Sequence, residues 1–297
     1  MNNNSVSRRK VLEAIGLFSL FAVLNGKAHL ENITMDEAPE MPGKILLDAH
    51  NHIGKRYLQP RKLEELLHVI TSGIVGISYC SNKNNALSYD DVLRLRHHPG
   101  VSVEEINAGL LCQVAYKGRT GYAMKSQEIM AEDFHILSLG LSRNLADRPV
   151  AADAINEIKD AGGMAIIAHP MVHIDLKHPL SIRPINEYEL ATLEQLSEIA
   201  DEIEAFNAQN INLIPGRMWF NQLNEQSRIF CRQSGFNGFA VSDAHDRIEQ
   251  VKRSGVYLEQ LGEPTMKYIH VSIKVGLFEP LERYISNLSA VKAFLGL

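Results

Sequence analysis

The sequence predicts an α/β fold, a distorted barrel of successive βα units, and three observations carry that expectation. Short apolar runs recur about every thirty residues. Amphipathic helical stretches separate them, the pattern of parallel βα units. Histidine or aspartate stands where several of the runs end, which is the catalytic face of a βα barrel.

The elements follow in order. Ile45-Leu46-Leu47 marks a first strand over 44–49, apolar without alternation as a strand buried on both faces is. A helix is expected over 61–72, a strand over 74–80, a helix over 88–97 and a strand-like run over 108–116. A strand over 134–139 follows and carries His135 at its start. The helix over 150–161 has apolar residues at helical spacing and stops at Gly162-Gly163. The strand over 164–168 ends in His169-Pro170, and after a helix over 187–200 comes a strand over 202–207 carrying Glu204 and Asn207. A helix over 217–234 leads to a strand over 238–242 that ends in Ser242-Asp243-Ala244-His245. Residues 257–297 are expected to pack on the barrel and to include a helix near 280–294.

The first strand stops at Asp48-Ala49-His50-Asn51-His52, the most telling stretch of the chain. With 12 histidines in 297 residues, His-x-His arises by chance about 0.5 times, and a preceding Asp at fixed spacing makes it far rarer. Side chains alternate along a strand, so one carboxylate and two imidazoles converge at its end.

Taken together, Asp-x-His-x-His, His135, His169-Pro170 and Ser-Asp-Ala-His resemble the PHP family, the polymerase-and-histidinol-phosphatase class of metal-dependent phosphoesterases, over most of residues 44–256. The resemblance implies a distorted TIM-like (β/α)7 barrel. It implies that His50, His52 and Asp243 bind one metal, that His135 and His169 bind a second, and that a glutamate bridges the two. Asp48 is expected to orient a ligand histidine or to act as acid or base, and His245 to protonate the leaving group if it carries no metal.

The chain departs from the family pattern in two places. Ser81 and Asn82 stand where the family has an Asp and a His, and the further His expected past the first motif is absent, with Leu58 near its place. A third metal would keep only His245 of its usual ligands. The bridging position is expected within 110–116, where Gln113 is the best match. Glu104 or Glu105 would substitute if the alignment is off by one strand. Imidazole and carboxylate donors suit Zn, Mn or Fe, and the expected complement is one or two ions.

The implied activity is hydrolysis of a small phosphate ester by a metal-activated hydroxide, with the phosphoryl oxygens clamped for in-line displacement. The alternative is a PHP-fold metal- or ligand-binding protein that has lost phosphoesterase activity. A net charge of −5 argues against a nucleic-acid backbone as the general partner.

The N-terminus reads as a targeting segment. Ser7-Arg8-Arg9-Lys10-Val11-Leu12 is a twin-arginine pattern, an uncharged run from Ala14 to Gly26 follows, and Gly26-Lys27-Ala28 fits cleavage after Ala28. The domain expectation is a signal over 1–28, a linker over 29–43 and the hydrolase domain over 44–297. It brings the Tat export machinery as partner, a periplasmic or exported location, and no stable membrane anchor once the signal is removed, because the apolar run falls short of the ~20 residues that span a bilayer. Cys80, Cys112 and Cys231 form no Cys-x-x-Cys pair and read as small buried apolar residues.

Overall fold

In a computed structural model the structure describes residues 38–174, 182–209, 220–245 and 247–283. The expected signal, most of the expected linker and most of the expected C-terminal helix lie outside the described residues. The end of the expected linker joins the body of the fold: the Tyr257 hydroxyl donates to the Pro39 carbonyl at 2.6 Å, and the Gln260 amide donates to Gly43 at 2.7 Å.

The chain opens with β1 (Lys44–Asp48), the short β2 (Asn51–His52), α1 (Leu63–Ile70), β3 (Ile74–Tyr79) and α2 (Tyr89–Arg94). An antiparallel excursion follows: β4 (Val101–Asn107), β5 (Leu111–Tyr116) and the long β6 (Arg119–Ile129). Then come β7 (Ile136–Leu139), α3 (Ala151–Asp160), β8 (Met164–Ile167), β9 (Val172–Ile174), β10 (Ile182–Pro184), α4 (Glu187–Ser197) and β11 (Glu202–Asn207). Last come α5 (Phe220–Ser234), β12 (Phe239–Val241), β13 (Ala244–His245), β14 (Gly255–Glu259), α6 (Met266–Lys274) and β15 (Phe278–Leu281). Nine strands form a nearly closed, barrel-like sheet in the order β12-β11-β8-β7-β6-β3-β1-β14-β15. Its ends approach each other where the Ser254 amide donates to Ser242 Oγ at 2.9 Å and where the Phe239 and Phe278 rings meet edge to face at 5.9 Å.

The sheet is mixed, so the expected parallel βα units make up only part of it. β1–β3, β3–β6, β8–β11 and β11–β12 pair parallel, whereas β7 runs antiparallel to both β6 and β8. The reason is local. β6 follows β5 through a tight turn, and β7 follows β6 after six residues, too few for the helical crossover that a parallel connection needs.

Alternation places side chains inside or outside the barrel. Ile45, Leu47, Ile74, Tyr122, Met124, Leu137, Leu139, Met164, Ile166 and Phe206 fill the interior. The intervening Ala165, Ile167, Ile203 and Ala205 pack outward among Ile155, Ile158, Leu193, Leu223 and Phe230 of the helices. Val75, Ile77 and Ala123 meet α1 through Leu66, Leu67 and Ile70. Those three α1 residues lie on one stripe of the helix, and Glu64 and Glu65 occupy its first turn, where the helix dipole favours acidic groups. Capping boxes open α2 (Ser88 with Asp91) and α4 (Asn186 with Glu189). Gly76 on β3 is required by close approach: a Cβ there would stand 2.0 Å from the Ala49 carbonyl, so only glycine lets the His50 segment lie against β3.

Candidate metal centre

The C-terminal ends of β1, β6, β8, β11 and β12 and the start of β7 meet at one mouth of the barrel, and six of the expected side chains with Glu128 gather there. Glu128 sits near the end of β6 with the inward parity of Tyr122 and Met124. Its Oε1 lies 2.8 Å from His135 Nδ1 and 3.3 Å from His169 Nε2, and its Oε2 lies 3.0 Å from His52 Nε2 and 3.8 Å from His50 Nε2. A single buried carboxylate thus faces four imidazoles. Three groups of donor atoms are close enough to hold a cation: His50, His52 and Glu128; Glu128, His135 and His169; and His52, Asp243 and His245.

The histidine tautomers follow from their partners. The Ser78 carbonyl, 3.2 Å from His52 Nδ1, accepts only, so Nδ1 carries the proton and Nε2 offers a lone pair. His50 Nδ1 lies 2.8 Å from Glu204 Oε1, which places its proton there in the same way. The two Nε2 atoms are 3.2 Å apart and face the Glu128 carboxylate, an arrangement that calls for a cation between them, a proton on His50 or a metal ion. His169 Nδ1 is buried without a hydrogen-bond partner. The residues present therefore fit transition-metal ions.

Electrostatics agree. Burial opposes the imidazolium of His50, but the Asp243 and Glu204 carboxylates outweigh it and hold His50 well above the usual histidine range. Burial, with Lys83 next, pushes His52 down to about 3. Burial works against the charged forms of Glu128 and Asp243 too, yet His135 and His169 around the first, and His50 and His245 around the second, hold both well below the carboxylate range. His169 is raised: burial opposes the shift and Glu128 overcomes it. With no metal bound, protons on the imidazoles supply the countercharge.

Backbone geometry and neighbouring side chains aim these donors. His169 and Asp243 adopt φ of 31° and 49°, left-handed values rare outside glycine and concentrated at functional sites. Asn207 Nδ2 donates to Asp243 Oδ2 at 3.0 Å, and the His169 amide donates to Glu204 Oε2 at 2.7 Å. β13 pairs parallel with β2 and sets His245 opposite His52. His245 is half exposed at the rim, its Nε2 2.9 Å from Asp243 Oδ1. A small recess, lined by Asp133, Phe134, His135, His169 and Val172 among others, lies beside the second donor group.

Two expected site residues stand elsewhere. Gln113 lies on β5, paired with Tyr122, six residues before Glu128 along β6 and so roughly 20 Å from it. Its amide contacts Tyr122 Oη at 3.5 Å and Glu263 at 3.4 Å, far from the imidazoles. Among the described residues, the carboxylate set between the two histidine pairs is that of Glu128, which the strand-like reading of 108–116 passed over. Glu104 and Glu105 share the hairpin with Gln113 and are equally remote. Signals for Glu128 existed: Tyr122-Ala123-Met124 opens an apolar strand that ends at Ile129-Met130, and Glu128 precedes His135 by seven residues.

Asp48 has the outward parity of Leu46, and its oxygens accept the backbone amides of Ser242 at 3.0 Å and Lys252 at 2.8 Å. It clamps β1 to the chain that carries Asp243, and Glu204 takes the role of orienting His50. Burial raises the Asp48 carboxyl to about 6. A carboxyl raised on folding holds a proton that the unfolded chain has released, so this group lowers stability as pH climbs from about 4 to 6. Asp48→Asn replaces one acceptor by a donor facing an amide. It is expected to cost about 1–3 kcal/mol, to abolish that part of the pH dependence in urea unfolding, and to leave metal content unchanged. Loss of turnover at unchanged stability would restore Asp48 to an acid–base role.

The three cysteines are buried and unpaired, as their composition led one to expect. Among the described residues, no helix is long and apolar enough to cross a membrane.

No family model matches the chain, and no curated protein matches it in sequence. Solved structures do. PsfC from Pseudomonas syringae PB-5123 is 12% identical with a TM-score of 0.57, the match covering 86% of this chain and 98% of that one. A two-domain protein from Bacteroides vulgatus ATCC 8482, containing a predicted PHP-like metal-dependent phosphoesterase, is 14% identical with a TM-score of 0.49 over 88% of this chain and 72% of that one. The lesion-specific endonuclease PfuEndoQ from Pyrococcus furiosus is 14% identical with a TM-score of 0.46, and the chain spans 57% of its length. PsfC shares the fold. At these identities the likeness is one of fold alone.

Proposed function

We propose that this chain is a metal-dependent phosphoesterase of the PHP type, acting on a small phosphate ester at a site for two transition-metal ions that Glu128 bridges. The observation that carries the reading is Glu128 itself, a buried carboxylate set between two pairs of imidazoles. His50, His52 and Asp243 would hold one cation and His135 and His169 the other, with Glu128 available to both. Zn, Mn or Fe suits these donors. Such a pair, when bound, activates water and stabilises the attacking and leaving oxygens of an in-line displacement.

The chain's own residues do the rest. Glu204 and the Ser78 carbonyl fix the tautomers of His50 and His52, so that Nε2 of each faces inward. Asn207 holds Asp243 by its outer oxygen. His245, at the rim beside Asp243, is the group placed to give a proton to the leaving oxygen. Chelated protein should release no phosphate from a panel of small phosphate esters, and Mn or Zn should restore release with about two ions per chain. Normal metal binding with no turnover on any ester would favour a binding protein instead.

The twin-arginine segment supports export, in which case the mature chain starts near His29. Replacing Arg8 and Arg9 by Lys should block export and processing. Normal export of that variant would exclude the twin-arginine route.

A further inference from the structure

The stretch after β3 is where the sequence lacks two family ligands, and its geometry says what replaces them. Ser81 turns its hydroxyl to Asp147, and Asn82 accepts from the Cys80 thiol at 3.1 Å. Neither reaches the donor cluster. The next residue does. Two successive turns fix the Lys83 backbone, with the Lys83 amide donating to Cys80 at 3.0 Å and the Ala86 amide donating to Lys83 at 3.0 Å. The Lys83 side chain then runs to the rim, where Nζ lies 3.2 Å from His245 Nε2 and 3.5 Å from His245 Nδ1. His245, Asp243 and His52 form the third group of donors near enough to hold a cation, and the His52 and His245 rings meet edge to face at 5.3 Å.

We propose that the Lys83 ammonium takes the place of a third cation: it keeps a metal ion off the His52–Asp243–His245 donors and offers its own charge to the phosphoryl oxygens of the ester. The second half rests on the phosphoesterase reading; the first does not. A dication held on those donors would stand close to a fixed ammonium and be repelled by it. An ammonium is a compact point charge with three donors on a flexible stem, a common phosphate contact that needs no exact angle. The arrangement leaves His245 without a metal.

The test uses the full chain reconstituted with Mn, with metal content measured on Lys83→Asp and Lys83→Met beside the wild type. Lys83→Asp removes the cation and supplies a carboxylate, so it should raise the content from two ions per chain towards three. Lys83→Met removes the repulsion without supplying a ligand, so it should raise the content by less than Lys83→Asp does. Inorganic phosphate, titrated calorimetrically, should bind Lys83→Met about tenfold more weakly than wild type or worse, with Lys83→Arg restoring much of the loss. Lys83 is half-buried in a surface turn, and thermal melts of each variant control for folding. A Lys83→Asp protein that holds the wild-type number of ions overturns the cation role. A Lys83→Met protein that binds phosphate as tightly as wild type overturns the substrate contact. A third ion in Lys83→Asp, with no ester turned over by wild type, upholds the cation role while the phosphoesterase reading fails.

Discussion

Glu128→Gln is expected to leave the protein folded, with about one ion per chain instead of two, and to cut turnover on the order of 10²–10³-fold. The amide has nearly the same shape, so packing at the end of β6 is kept. What is lost is charge. Two dications a few ångströms apart repel, and a shared carboxylate offsets that repulsion where a neutral amide does not. The amide NH₂ also meets imidazole nitrogens with a donor where a cation or a carboxylate stood. The ion held by His135 and His169 should be the one lost, because Glu128 is its sole carboxylate in that donor group. Metal analysis and phosphate release, with Mn or Zn in excess, measure both effects. A variant with two ions and wild-type turnover would show that Glu128 is no bridge.

His50→Ala and Asp243→Ala are each expected to empty one and the same position, the cation shared by β1 and the chain after β12. His50 Nε2 lies 3.5 Å from Asp243 Oδ1 although most of the sequence separates the two residues. Loss of a second-sphere partner alone costs 10–100-fold in metal affinity, so loss of a direct ligand should cost more than about 100-fold. The double variant should be little worse than either single one, since both act on one ion. Additive losses in the double variant would place the two residues at different ions.

The fold and the histidines were legible for a common reason. A strand buried on both faces spells an unbroken apolar run, and a polar residue that ends such a run stands out; Leu47 before His50, Ile167 before His169 and Val241 before Asp243 all read this way. Glu128 did not. The antiparallel excursion over β4, β5 and β6 breaks the βα rhythm, and β6 enters the site through Ser126-Gln127-Glu128, which reads as a polar loop until pairing with β3 and β7 shows it buried. Gln113 drew attention because the rhythm called for a strand end there, and the hairpin carries it away from the mouth. Asp48 lies two residues before His50 yet turns away from it: β1 ends at Asp48, so the strand alternation that would set the two on one face does not extend to His50. Lys83 gave no signal at all, being one cation in a polar turn, and only the fold brings it to His245.

The most direct measurement is a crystal structure of the Mn-loaded protein with anomalous data. Two manganese peaks are expected at the barrel mouth, one beside His50, His52 and Asp243 and one beside His135 and His169, with the Glu128 carboxylate between them. A single peak, or two peaks with Glu128 bound to neither, would contradict this.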